Sequence, residues 1–262
     1  MRTAAWISLA ALAVLTQASA AEFGARADYW QSDLSGNAKA ESASIPATRL
    51  SFSGLGMDTS ENIPSFELFG RFGTTYRHRL SVRYWQQDYT GQTTLTQSVT
   101  FKTFTFPVST TLKSEMDLRD VELRYAYDFW QGEEKVFHHP NAAWGIFGMK
   151  VLDLDTKLSS PAVGSAHESA TAPLPVLGLG GRLGVCKYFS LEAQVDGLAL
   201  DVSGVRASFY EASLLGRVDC TENLGLELGW RRWHMGAHID STTKVDVDAT
   251  IQGLWLGLEA RF

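Results

Sequence analysis

Residues 250–262 alternate with a period of two. Leu254, Leu256, Leu258, Ala260 and Phe262 fall on one side, and Gly253, Trp255, Gly257, Glu259 and Arg261 on the other. That period belongs to a β-strand. A water-soluble sheet hides its apolar side, whereas a membrane barrel turns that side to lipid and keeps small and charged residues inside. The pattern recurs along the chain. Residues 22–31 set Phe23, Ala25, Ala27 and Tyr29 against Gly24, Arg26, Asp28 and Trp30, and residues 65–72 set Phe66 and Leu68 against Glu67, Phe69 and Arg71. Residues 79–89 turn Leu80, Val82 and Tyr84 away from Arg79, Ser81, Arg83 and Trp85. The clearest split in the interior of the chain lies in residues 116–130, where Val121, Leu123, Tyr125, Tyr127 and Phe129 oppose Asp120, Glu122, Arg124, Ala126 and Asp128. Residues 143–154 predict a strand whose facing the pattern does not assign. Residues 174–185, 189–200, 207–218 and 224–233 predict four more. Arg182, Glu192, Asp196, Glu211, Arg217, Glu227 and Arg231 lie on the sides opposite their leucines and valines.

Carboxylates and guanidinium groups on the hidden face of a soluble sheet would be costly. In a barrel lumen they pair and stay hydrated. The expected fold is therefore all-β, a closed antiparallel transmembrane β-barrel of about ten strands, or eight if two weak strands fail. Short connections fall near residues 74, 133, 187 and 222 and long ones near 100, 165, 204 and 242, the asymmetry of bacterial barrels with short periplasmic turns and longer external loops. Residues 32–64 read as an elaborate polar loop with a short strand at 49–52. Residues 90–115 read as an extended hairpin projecting beyond the membrane, and 159–172 as another polar loop.

The amino terminus changes the picture. Met1 and Arg2, an apolar run over residues 4–15 and the small-residue site Ala18-Ser19-Ala20 together make a secretory signal peptide, residues 1–20, ahead of a barrel domain at 21–262. The chain is mildly acidic, with net charge -6 and no basic run, which argues against a nucleic-acid partner. A mean hydropathy of -0.09 is what alternating strands give, since their two faces cancel. Eight Trp, 8 Tyr and 14 Phe are enough to supply interfacial girdles.

Three segments carry a resemblance: G-M-D-T-S-E-N-I-P-S-F-E-L at residues 56–68, R-H-R-L-S-V-R-Y-W at 77–85, and F-P-V-S-T-T-L-K-S-E-M-D-L followed by V-E-L-R-Y-A-Y-D-F-W. Together they resemble a widespread, largely uncharacterised family of small bacterial outer-membrane β-barrel proteins, and more loosely the small barrels of the OmpA and OmpW type. The terminal Phe262 likewise resembles the C-terminal signature such barrels present to their assembly machinery. The resemblance implies export, the bacterial outer membrane and its lipid as surroundings; it carries no catalytic residue.

The strongest candidate feature is the inward charge: Glu67, Arg71, Arg79, Arg83, Asp120, Glu122, Arg124, Asp128, Arg182, Glu192, Asp196, Glu211, Arg217, Glu227, Arg231 and Glu259. In a narrow barrel these groups interlock as salt bridges and plug the lumen; the alternative is a porin-like path opened when pairs exchange partners. Trp85 and Trp255 fall on the inward face, apart from the girdle aromatics. His234, near Asp240 and Ser241, is the one arrangement from which a lipid-modifying enzyme can be drawn, but no spacing meets a nucleophile motif. The sequence thus predicts no enzyme, no cofactor and no metal, because His234 and His238 lack a third ligand. An adhesin acting through residues 90–115 is the other reading. Cys186 and Cys220 close two copies of one hairpin pattern; an oxidising compartment favours a disulfide, and a spacing of about 10 Å across one intervening strand opposes it.

Overall fold

The computed structural model describes residues 21–42, 49–73, 75–101, 104–136, 139–202, 205–239 and 243–262. Residues 1–20, the expected signal peptide, lie outside them. Among the described residues thirteen strands form and there is no helix. Ten of them make the wall: β1 (Ala21–Ser42), β3 (Ser60–Phe72), β4 (His78–Thr94), β7 (Thr111–Val136), β8 (His139–Ser160), β9 (Gly164–Cys186), β10 (Phe189–Val202), β11 (Val205–Asp219), β12 (Leu224–Ile239) and β13 (Thr243–Arg261). Each pairs antiparallel with its neighbour, and β13 returns to β1, from Gly24 opposite Arg261 to Ser42 opposite Thr243. The sheet has no open edge, so every wall strand finds partners on both sides. At the seam Phe262 N–H donates to Phe23 O at 2.8 Å, and Phe23 N–H donates back at 3.3 Å.

The wall is inside-out relative to a soluble protein. Leu68, Leu123, Phe147, Leu179, Leu228 and Leu256 project outward and are at least half exposed, while Glu122, Arg217 and Glu227 inside are 1% exposed. A continuous apolar belt around a charged interior belongs in hydrocarbon. The two ends differ. One, the turn end, carries both chain ends of the described barrel and the connections at 73–77, 187–188 and 220–223; the other is the loop end.

Three expectations are corrected at the loop end. Residues 32–64 are largely strand, since β1 runs on to Ser42 and β3 begins at Ser60, with β2 (Leu50–Ser51) paired to Asn37 and Ala38. Residues 159–172 are not a polar loop: β8 and β9 extend to Ser160 and Gly164 and pair throughout. Polar residues on both faces of a strand beyond the lipid resemble a loop in sequence, because neither face needs to be apolar there. Residues 90–115 do extend the hairpin, with β4 and β7 paired out to Thr94 and Thr111. Their tip, however, carries the small hairpin β5 (Val99–Phe101) and β6 (Phe104–Phe106) and turns inward, burying Leu95, Val99 and Phe106.

Candidate functional site: a filled lumen

The lumen is filled in layers whose positions follow from register. Nearest the turn end, each of two hairpins places an arginine opposite a glutamate: Arg182 faces Glu192 across β9 and β10, and Arg217 faces Glu227 across β11 and β12. These are the two hairpin copies around Cys186 and Cys220, G-R-L-G-V-C-K-Y-F-S-L-E and G-R-V-D-C-T-E-N-L-G-L-E, and both make the same bond, from Arg Nε to Glu Oε1 at 2.7 and 2.9 Å. On β1, Arg26 stands between Glu67 and Glu259 in neighbouring strands. Its guanidinium reaches Glu67 at 3.1 Å, Glu227 at 2.8 Å and Glu259 at 2.8 Å. Arg217 ties Glu227 and Glu259 together at 2.5 and 2.6 Å. Arg79 completes Glu67 at 2.7 Å, and Arg261 pairs with Asp219.

A second charged layer lies above the first. Arg83 bridges Glu122 at 2.8 Å and Glu211 at 2.6 Å, and Arg124 bridges Glu122 at 2.7 Å and Asp196 at 3.3 Å. Fully buried Lys150 sits among Asp120, Glu211 and Glu122 at 3.3, 3.3 and 3.8 Å, with its ammonium 4.1 Å from the centre of the Phe209 ring. Arg83, Arg124, Lys150, Glu122 and Glu211 each meet more than one opposite charge, the condition under which buried ions are tolerated.

Aromatic rings cover the charges. Trp30 meets Trp85 edge to face at 6.3 Å, Trp85 meets Trp233 at 6.1 Å, and Phe209 leans on Trp233 at 5.8 Å. Arg231 lies between Trp30 and Trp255, 5.4 and 5.2 Å from their ring centres, a cation–π sandwich that joins the two chemistries. Above the rings Leu34, Ile63, Leu112, Met116, Leu152 and Ile251 fill the bore, and two segments outside the wall complete it: Phe52, Leu55 and Met57, with Leu95, Val99 and Phe106. Asp58 N–H donates to Thr90 O at 2.9 Å and Ser114 Oγ to Leu55 O at 3.2 Å. Gly56 (φ +69°) touches Gly91 so closely that a Cβ on Gly91 would lie 2.4 Å from the Gly56 carbonyl carbon. The open space left among the charges is about 40 Å³, room for a few waters rather than an aqueous path.

The inward residues expected from sequence are brought together, with two set apart. Asp128 lies near the turn end, where Gln131 Nε2 donates to it at 3.0 Å, and Arg71 is buried close to the same end. Trp85 and Trp255 face inward as expected. Five members of the network were absent from the expected charge set: Arg26, Asp28 and Arg261, although the alternation had already put them on the charged side, with Asp219 and Lys150. The first four stand on the inward parity of their strands and were open to discovery; Lys150 was not, because residues 143–154 place apolar groups on both sides, Trp144 and Ile146 inside, Phe147 and Met149 outside.

Outside the lumen, Cys186 and Cys220 are free, exposed thiols on adjacent turn-end hairpins, so the bridge that the sequence left open is not formed; β10 separates their strands, in line with the spacing argument. His234 faces the outer wall, hydrogen-bonded through Nδ1 to Thr250 Oγ1 at 3.0 Å and packed on Tyr210 at 5.0 Å. Its supposed partners Asp240 and Ser241 lie outside the described residues, as does His138. His238 pairs instead with Asp246 across β12 and β13.

No family model and no curated protein match the sequence. Solved structures do. The outer-membrane protease OmpT of Escherichia coli aligns over 92% of this chain and 97% of its own at 11% identity, with a TM-score of 0.56. The transport unit of the Escherichia coli autotransporter AIDA-I (8% identity, TM-score 0.47, covering 95% and 92%) and Neisserial surface protein A (14%, 0.33, 92% and 97%) also align. The first of these, with the closed wall and apolar belt, establishes the class: a ten-stranded antiparallel barrel with the fold of bacterial outer-membrane proteins. At 11% identity the likeness concerns the fold and assigns no activity.

Proposed function

We infer that this protein is a sealed barrel of the bacterial outer membrane, a non-conducting anchor that holds a rigid, elongated β-surface outside the lipid. The turn end faces the periplasm, the belt contacts outer-membrane lipid, and the C-terminal strand ending in Phe262 engages the barrel assembly machinery. The observation that carries this reading is the doubled closure of the bore: two interlocked charge layers and, above them, an aromatic and apolar layer capped by two inward-folded segments. A pore would need both to move, and the two inward-folded segments carry none of the lumen charges. With Leu95, Val99 and Phe106 tucked into the bore, a surface role belongs to the wall of the projecting strands. An open lumen in liposomes loaded with the refolded protein would admit arabinose and cause swelling; the sealed barrel predicts swelling no faster than protein-free liposomes. Swelling at porin-like rates would overturn it.

A further inference from the structure

At the loop end, on the outer wall and away from the lumen, the strands leave a groove of about 250 Å³. Register builds its floor. Ser208, Gly236, Asp248 and Asn37 stand side by side on β11, β12, β13 and β1. Gly236 makes the notch, for a Cβ there would come within 3.0 Å of Ser208 Oγ and 3.9 Å of His234 Nε2. The next row toward the loop end is charged, with Arg206 opposite His238, His238 opposite Asp246, and Asp246 opposite Lys39. Arg49 donates from Nη1 to Asn37 Oδ1 at 2.8 Å, which brings a second guanidinium to the rim.

Two guanidinium groups and a histidine converge on a notch that also offers carboxylate, hydroxyl and amide groups. Guanidinium suits a phosphate, which it grips through two parallel N–H donors. Carboxylates suit the opposite partner, a donor such as a sugar hydroxyl, so a simple anion would leave Asp248 facing like charge. A ligand with both features uses the whole lining. We propose that this groove binds a phosphorylated saccharide, with the phosphate on Arg49 and Arg206 and the hydroxyls on Asp248, Ser208 and Asn37. Its height names the nearer source. Trp230, the last exposed large apolar residue of β12 before the notch, lies six residues below Gly236; at about 3.3 Å per residue and a tilt of about 40° the notch sits roughly 15 Å above it. A phosphorylated glycolipid of the outer leaflet carries its sugars in that zone. The assignment rests on the membrane orientation proposed above, while the chemistry would serve a soluble sugar phosphate equally.

The test uses the full mature chain folded in detergent. Calorimetric titration compares glucose 6-phosphate with glucose and with inorganic phosphate, and native mass spectrometry compares retention of lipid A with that of phosphatidylglycerol at equal mole fraction. Expected are binding of glucose 6-phosphate or lipid A about tenfold or more above the respective controls, an about tenfold loss in Arg206→Gln from removal of one charge-assisted contact, and abolition in Gly236→Leu, which fills the notch without touching a charge. Both variants should keep the heat-dependent gel mobility of a folded barrel. Retention of lipid A alone identifies the leaflet as the source, and binding of glucose 6-phosphate alone identifies a soluble ligand. Binding of neither, equal binding of the controls, or indifference to both substitutions overturns the proposal. Liposome swelling of the same preparation reports separately on the sealed lumen, so the two readings fail independently.

Discussion

The turn-end half of the lumen is closed by ion pairs carried on wall strands, the loop-end half by apolar side chains that come in part from segments outside the wall. Arg217 and Glu227 meet because their strands are in register; Phe106 and Leu55 reach the bore only because two connections fold back into it. The first closure is inseparable from barrel assembly, since slipping one strand by a residue would send its charges into lipid. The second is a separable cap. Their boundary is the tryptophan layer, where Arg231 is held by rings on one side and by Asp28 and Glu211, at 3.7 and 3.6 Å, on the other.

Removing one member of the ion network should be the most damaging single change. Arg217→Ala leaves Glu227 and Glu259 to share Arg26, with Arg261 beside Glu259, and breaking a buried pair costs about 3–5 kcal/mol; urea unfolding followed by gel mobility should show that loss. A shift below about 1 kcal/mol would mean the charges are hydrated enough to stand alone. In the cap, Phe106→Ala should cost about 3 kcal/mol by loss of a buried ring while leaving the charged layers closed, so stability falls and conductance stays at baseline. Any rise in conductance from that substitution would show that the charge layers do not seal the bore.

Replacing both partners is gentler than replacing one. Arg182→Met alone leaves Glu192 with only its 3.4 Å contact to Arg217, whereas the double variant Arg182→Met with Glu192→Met should fall within about 1 kcal/mol of the parent, since apolar isosteres often replace a buried pair at little cost. A double variant as unstable as the single one would show that Glu192 is needed by Arg217. The smallest effect lies outside the lipid. The hydrogen bond from His238, together with their Coulomb attraction, holds the Asp246 carboxyl below the ordinary aspartate value. His238→Gln should raise it toward that value, as carboxyl resonances in an NMR titration would record. A folded pKa lowered in this way contributes above the ordinary value and is lost as pH falls through the lowered one; the pair is exposed enough that overall stability should not register it.

The wall was legible in the sequence because lipid outside and charge inside impose a strict two-residue alternation. Val121 to Phe129 against Asp120 to Asp128 gave the facing of β7, and the same alternation put Arg182, Glu192, Arg217 and Glu227 inside. Legibility stopped where that contrast faded. Beyond the belt, residues 32–42 and 164–172 carry few large apolar groups on either side and imitate loops. On β8, apolar groups on both faces concealed Lys150. The cap was invisible for a different reason: Phe52 and Leu55 sit in a turn, and Val99 and Phe106 in strands of three residues, too short for a period to say which way a side chain will turn.

The central claim is that the bore is closed twice, and single-channel recording in a planar bilayer tests it most directly, with folding confirmed by gel mobility. The chain and a variant lacking residues 96–109 are compared under the same voltage ramp. A closed charge network beneath the cap predicts a silent baseline from both. Discrete openings from the intact chain, or from the variant alone, would contradict it, the first by showing a pore and the second by leaving the cap as the sole seal.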